Sequence, residues 1–436
     1  MLKHKSNFQD IKSANINTEY SLYINGKFHK TNRTYQKNSP IKGNFLSSIP
    51  IATSDEVQQA FDKAKSALRK WNKLEIQSKI KIFEDFLNIY SQKATEFAIT
   101  QTLETGYIYR DSLNYSFKSS VQFLKNYISD KQYTYNDSEN SVIIIILPHQ
   151  QPLKTAIEIL TTELLKGNTI IALASELSPI IVYKLAEVFD SAGFPNGVVN
   201  IISGDLSTMK FLLEFSDKAR YIIFENSSKD KEYLFSARTF EKLNFYNRGK
   251  SLNVIFEDAS LNDACYLSFL IAYVLRRETT ENSNFFFIQE SIKDFVREKI
   301  KHNFKQTKTG NPLDFTVDIS ALLNTENIEN IKNILSQARK NNCEVIFSGL
   351  KQYRKESFIS PVLLDNVTLN DQVFEIPHFG PISSLITFRT TKEFLDKLKY
   401  LNDINYIYLW SDSYSKITFL KEQIKLKGLY INTYIR

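Results

Sequence analysis

Glycine is scarce in this chain, with 12 in 436 residues, below half the usual share of roughly 7%. A protein that cradles nucleotide phosphates with its backbone places glycine where the chain must approach closely, so the shortage argues against a tight phosphate loop. Cysteine is scarcer still. The only two, Cys265 and Cys343, exclude a disulfide framework and point to a reducing, cytoplasmic setting. The five histidines show no ligand spacing, so no metal motif is present. Long apolar runs are missing as well: the longest, Val142 to Leu147, is far too short to span a bilayer. The polar start, Met1 to Asp10, has no apolar core of a signal peptide. Charge blocks are also absent. The net charge of +7 is spread along the chain, which reads as a solvated surface and gives no nucleic-acid or membrane partner.

What remains is a globular composition, 42% hydrophobic and 24% charged, long enough for two or three packed domains. Residues 1–18 read as a flexible lead-in. Leu22–Ile24 and Lys27–His29 read as strands joined by a tight Asn25-Gly26 turn. Ser54-Asp55-Glu56 caps a helix whose apolar positions Val57, Ala60, Phe61, Ala64 and Leu68 recur at helical spacing. Further helices are predicted over Ile76 to Tyr90 and Ala94 to Leu103. From residue 142 short apolar strands alternate with helices: Val142–Leu147, Thr169–Leu173, Val198–Ile202 and Tyr221–Phe224, with helices near 153–166, 179–192 and 207–215. That alternation predicts a doubly wound parallel sheet. A second α/β set follows, with strands at Leu252–Phe256, Phe285–Ile288, Glu344–Phe347, Ser383–Phe388 and Tyr406–Leu409.

Several short segments share an order and spacing with one family. They are Tyr23-Ile24-Asn25-Gly26-Lys27, Asn38-Ser39-Pro40, Trp71, Leu103-Glu104-Thr105-Gly106 and Lys166-Gly167-Asn168-Thr169. They continue with Ala192-Gly193-Phe194-Pro195-Asn196-Gly197-Val198-Val199-Asn200 and Gly204, Gly249-Lys250-Ser251, Phe379-Gly380-Pro381 and Ile431-Asn432. In this series the chain resembles the aldehyde dehydrogenases. The resemblance implies an α/β fold with a Rossmann-type cofactor domain, residues 19–247, and an α/β catalytic-type domain, residues 248–436.

The residues that family uses for chemistry are altered. Its cysteine thiolate attacks the aldehyde, an amide stabilises the oxyanion, and a glutamate activates water. The resemblance places Thr280 at the nucleophile, Tyr246 at the general base and Gln150 at the oxyanion amide. His149 stands beside Gln150, in Pro148-His149-Gln150-Gln151-Pro152. At the cofactor site the adenosine-ribose lysine becomes Leu173, and the phosphate segment reads Phe224-Glu225-Asn226-Ser227-Ser228 without glycine. Pro377 replaces the nicotinamide-ribose glutamate. Only Glu176, Ser227 and Phe379 remain as residual cofactor contacts.

Alternative readings of single residues are weaker than structural ones. Cys265 lies in a helical pattern before the nucleophile loop and Cys343 in a turn, so both read as buried structural thiols. Thr279 or Thr280, flanked by Glu278 and Glu281, offers a hydroxyl nucleophile. His149 and His378 lie in loops that line the family's cleft, although polar-loop histidines are most often solvated. Arg276-Arg277 beside Glu278 reads as paired charge or as an anion clamp.

Residues 131–141 leave little room for the family's oligomerisation hairpin, and no terminal strand follows Ile431-Asn432. The expectation is a reduced oligomerisation arm and a monomer or non-standard dimer. The functional expectation is a pseudoenzyme, a catalytically impaired scaffold that binds a small ligand or a protein. It carries no cofactor, or NAD or NADP if any. The alternative is a divergent NAD(P)-dependent aldehyde oxidoreductase, or an enzyme using His149, Thr280 and Glu278 for other chemistry.

Overall fold

The computed structural model describes residues 13–129, 140–215, 218–224, 243–246, 250–274, 284–320, 325–348, 361–369, 371, 381–401, 404–426 and 428–433. The chain divides into two compact units, Met1–Asn247 and Arg248–Arg436.

The first unit opens with β1 (Leu22–Ile24) and β2 (Lys27–His29), an antiparallel hairpin. Asn25 and Gly26 both take positive φ, 56° and 70°, as a two-residue hairpin turn requires. A second hairpin follows, β3 (Thr34–Asn38) with β4 (Phe45–Pro50). Helix α1 (Ser54–Asn72) starts one residue earlier than the sequence suggests. Its cap is Thr53, whose side chain accepts from the Glu56 N–H while the Glu56 carboxylate accepts from the Thr53 N–H. This reciprocal box satisfies two end donors that a serine inside the first turn cannot reach.

Next come α2 (Ile76–Ser91), α3 (Ala94–Thr105), a single turn α4 (Tyr109–Asp111), a π-helical stretch Ser112–Lys118 and α5 (Ser119–Ser129). The parallel sheet then begins. β5 (Val142–Ile146), α6 (Pro152–Leu165), β6 (Thr169–Ala174), α7 (Pro179–Ser191), β7 (Val199–Ser203), α8 (Leu206–Leu213), β8 (Arg220–Phe224) and β9 (Leu243–Tyr246) follow in order. The strand order is β2-β1-β7-β6-β5-β8-β9.

Every residue of β5 and β6 is buried, as expected of a parallel sheet covered on both faces. Alternation sorts the side chains: Ile143 and Ile145 join one core with Leu153, Ile157 and Phe189, while Val142 and Ile144 join the other with Val57, Phe61 and Leu212. The first core holds a knot of rings. Phe194 meets Phe83 at 5.1 Å, Phe189 at 5.0 Å and Trp71 at 5.9 Å between centroids, so two of the motif segments pack on each other. Trp71 Nε1 also donates to the Leu164 carbonyl at 2.9 Å. Glycine is indispensable at Gly197, where φ is 82° and an added Cβ would stand 2.6 Å from the Lys63 carbonyl oxygen.

Part of the lead-in differs from expectation. Residues 13–18, read as flexible, are tied down: Ala14 is buried, its carbonyl accepts from Thr100, and the Asn15 carbonyl accepts from Lys184. Lys184 is itself buried and paired with Glu96 at 2.6 Å. A buried ammonium needs full coordination, and the lead-in supplies part of it.

The second unit contains β10 (Lys250–Ile255), α9 (Leu261–Phe269), a π-helical turn Leu270–Val274, β11 (Phe285–Gln289), α10 (Lys293–Gln306), α11 (Thr325–Lys340), β12 (Glu344–Ser348), β13 (Val362–Asp365), β14 (Ile382–Phe388), α12 (Thr391–Lys399), β15 (Ile404–Trp410), α13 (Tyr414–Gln423) and β16 (Gly428–Ile431). Its strand order is β12-β13-β14-β11-β10-β15-β16, parallel except for β12 against β13. Leu252 and Val254 face one core and Ile255 the other. Among the described residues no helix is long and apolar enough to cross a membrane.

Candidate functional site

In the first unit the chain runs from β5 through β6 to β7 on one side, then returns to place β8 on the other side of β5. Doubly wound sheets bind ligands outside the carboxyl ends of the strands at this reversal. The segment leaving β5 there is Leu147 to Gln151. Leu147 N still donates to the Leu173 carbonyl at 3.0 Å, which prolongs the sheet pairing by one residue. Pro148, His149 and Gln150 are all buried.

The turn into α6 is tightly specified. Gln151 takes the left-handed conformation, φ 44° and ψ 49°, which costs a side-chain-bearing residue of order 1 kcal/mol or more. Its N–H donates to the Tyr107 hydroxyl at 3.2 Å, and its carbonyl accepts from Thr155 N at 3.0 Å. Pro152 opens the helix, where its missing N–H costs nothing and its fixed φ suits the first turn.

Gln150 is only 8% exposed, and its side-chain Nε2 is buried without a hydrogen-bond partner. An unpaired buried amide donor costs about 1–3 kcal/mol, so most such groups in folded proteins are paired. This one lies two residues before the start of α6, where the helix dipole favours negative charge. The arrangement can donate a hydrogen bond to a carbonyl oxygen or to an oxyanion. The sequence reading treats Gln150 as a damaged oxyanion residue. Glutamine carries the same amide as asparagine on one more methylene, and the Gln150 Nε2 is without a hydrogen-bond partner within the protein.

His149 is also buried, 1% exposed, so it is not the solvated loop histidine that its polar neighbours suggest. Glu176 lies past the end of β6 and is exposed, with its carbonyl accepting from the Tyr35 hydroxyl at 3.3 Å. Leu173, at the lysine position, is a core residue.

The Leu103-Glu104-Thr105-Gly106 segment carries a structural carboxylate. Glu104 is fully buried and accepts from the N–H groups of Ile180, at 2.5 Å, and Ile181, at 3.0 Å. It therefore caps α7 from another helix. Burial pushes its pKa up to about 7, against the opposing pull of Lys37 and the two N–H groups. The same burial lowers Lys37. In the sequence Glu104 stands only as part of that family segment, because the N–H groups it caps lie 76 and 77 residues further on.

Thr280, Thr279, Glu278, Glu281, Arg276, Arg277, Ser227, His378, Pro377 and Phe379 lie outside the described residues. Tyr246 ends β9, and its backbone alone is described. Both cysteines are seen, in the second unit. Cys265, on α9, is 1% exposed and burial pushes its thiol up to about 12. Cys343 is 8% exposed; burial, then the Asp371 carboxylate, raises it as well. Neither environment yields a thiolate near neutral pH. Among the described residues no group of three or more His, Cys, Asp and Glu side chains gathers as a metal site.

A doubly wound first unit with a hydrogen-bond donor at its reversal, joined in sequence to a second parallel α/β unit, defines the class of two-domain α/β proteins with a Rossmann-like sheet. The aldehyde dehydrogenase family model matches residues 28–436, and the chain belongs to that family. Among its relatives, the 5-carboxymethyl-2-hydroxymuconate semialdehyde dehydrogenase of Escherichia coli is 26% identical over 94% of this chain and 92% of its own. A malonate-semialdehyde dehydrogenase of Bacillus velezensis is 24% identical over 94% and 88%. The fold matches solved structures: the aldehyde dehydrogenase KauB from Pseudomonas aeruginosa has a TM-score of 0.91 at 22% identity, covering 100% of this chain and 92% of that one. The NAD+ complex of a Bacillus cereus aldehyde dehydrogenase has a TM-score of 0.90 at 20% identity, covering 97% and 90%.

Proposed function

We propose that the chain is a divergent NAD-linked aldehyde oxidoreductase. Family membership supports the reaction class, and so do the relatives, each named as a dehydrogenase acting on a semialdehyde. The observation that carries the reading is the unpaired, buried amide of Gln150 at the strand reversal. Unpaired buried donors in native proteins are completed by water, an ion or a ligand, and at the strand reversal a carbonyl oxygen gaining negative charge is a matching acceptor.

A single residue past β6 supports NAD over NADP. Glu176 is an exposed carboxylate just past β6, suited to accept from ribose hydroxyls and to repel a 2′-phosphate. When bound, the nicotinamide would accept hydride. The chain's own contribution is positional: Gln150 donates to the carbonyl oxygen, and the buried loop through His149 excludes water from that donor.

A second reading, a binding scaffold that no longer turns over, is favoured by the two buried thiols with raised pKa. It keeps the carbonyl site and loses the thiolate step. Calorimetry with NAD+ and NADP+, followed by an NADH assay over an aldehyde panel, separates the two. NAD+ binding with NADH formation that disappears in Gln150→Leu supports the oxidoreductase. Binding of NAD+ and aldehyde without NADH supports the scaffold. Failure to bind either ligand would overturn both.

A further inference from the structure

The turn that presents Gln150 is strained from two sources. Gln151 takes φ 44° and ψ 49°, a left-handed conformation that residues with side chains rarely adopt. Pro152 follows directly, and a proline ring crowds the residue before it and pushes that residue toward extended backbone. A helix start ordinarily has an extended residue with a capping side chain here, and α6 has no such cap. Backbone of this kind persists only where its surroundings hold it. The Gln151 N–H is held by Tyr107, whose hydroxyl accepts it at 3.2 Å across 44 residues.

Tyr107 is itself firmly placed in the loop after α3. Its N–H donates to the Thr105 hydroxyl at 3.2 Å, and that hydroxyl donates to the Gln101 carbonyl at 2.6 Å. Gly106 closes α3, its N–H on the Thr102 carbonyl at 2.9 Å. Ile108 is buried, and its carbonyl accepts from the N–H groups of Asp111 and Ser112. Three residues before Tyr107, Glu104 holds the start of α7. The end of α3 therefore ties down the segments that leave both β5 and β6.

We infer that Tyr107 is a positioning residue for the Gln150 amide, acting through the Gln151 N–H. The inference rests on the reading of Gln150 as the carbonyl-binding donor. The peptide joining Gln150 to Gln151 is planar, so the bond that fixes the Gln151 N–H also fixes the Gln150 carbonyl. On the other side Leu147 N is held by the Leu173 carbonyl. The backbone around Gln150 is thus pinned at both ends, which leaves its side chain few places to go. Without the hydroxyl the turn relaxes toward the extended backbone that Pro152 favours, and the amide loses its aim. A hydroxyl suits this task because it accepts the N–H without bringing a charge. A carboxylate in its place would repel an oxygen gaining negative charge on Gln150.

The test uses Tyr107→Phe, which removes the acceptor and keeps the ring, in the full chain carrying isotopically labelled glutamine. The side-chain amide signals of Gln150 are identified by their loss in Gln150→Leu, and the Gln151 backbone signal by its loss in Gln151→Ala. Tyr107→Phe should shift the Gln150 signals and speed their exchange with solvent. In calorimetry it should weaken butanal binding about threefold to tenfold, the range of one lost hydrogen bond, and leave NAD+ affinity as in the wild type. Circular dichroism records whether the variant keeps its fold. The wild type gives a reading that needs no variant to fold: its Gln151 N–H should exchange slowly, and rapid exchange overturns the proposal. Unmoved Gln150 signals, an unchanged butanal affinity, or butanal and NAD+ affinities that fall together overturn it as well. A wild type that does not bind butanal removes the carbonyl reading instead, and the Gln150 and Gln151 signals then decide whether Tyr107 holds the turn.

Discussion

Glu104 makes the stability of the first unit depend on pH in a direction opposite to that of most surface carboxylates. Its carboxylate is fully buried and accepts two N–H groups of α7, yet burial outweighs them and raises its pKa from 4.5 to about 7. The native state therefore holds this proton more tightly than the unfolded chain does. The stabilisation is complete below about pH 4.5 and is lost as the pH rises through about 7. Over that window one proton gives a slope of up to about 1.4 kcal/mol per pH unit, a total of a few kcal/mol. Glu104→Gln removes the titration. It keeps one carbonyl acceptor but turns an N–H2 toward the second helix donor, which costs roughly 1–3 kcal/mol. The wild type should thus be clearly more stable than the variant at pH 5, with the gap narrowing by pH 8. Urea unfolding followed by Trp71 fluorescence, in a Trp410→Phe background, reads the first unit alone because each unit holds one tryptophan. A gap that stays constant or widens with pH would show that Glu104 is ionised throughout, and would refute the argument from burial.

Gln150→Leu should raise the melting temperature by roughly 2 °C while abolishing carbonyl binding, because it removes an unpaired buried donor worth about 1 kcal/mol; a lower melting temperature would mean the amide is paired after all. Neither thiol should react with an aromatic disulfide reagent in the folded protein at pH 8, and both should react in denaturant; fast labelling of native Cys265 or Cys343 would reopen a thiolate mechanism. Gly197→Ala should destabilise the first unit by about 2 kcal/mol or more, since it combines left-handed φ with a clash against the Lys63 carbonyl. A denaturation midpoint near wild type would show that the backbone there relaxes freely.

The parallel cores of the two sheets are legible because their information is local. Val142–Ile146 is a short run of β-branched residues, and only a strand buried on both faces suits it. The Asn25-Gly26 turn and the family segments from Tyr23 to Asn432 were equally readable, since turn chemistry and motif order survive without coordinates. The start of α1 was misplaced by one residue because serine and threonine cap equally well, and only the Glu56 reciprocal bond selects Thr53. The lead-in reads as loose in sequence because its partners, Thr100 and Lys184, lie far along the chain.

The sequence by itself determined the class of fold and the family, because residue identity and spacing are properties of the chain alone. What each side chain is near was decided by tertiary structure where it is described. Whether an amide is spent on a neighbour or left for a ligand depends on atoms distant in sequence. The same holds for Glu104, whose carboxylate meets the first turn of α7 across 76 residues, and for Cys265, whose thiol is silenced by the core around it. Burial and hydrogen-bond partnership are relations between segments, and they exist only once the chain has folded.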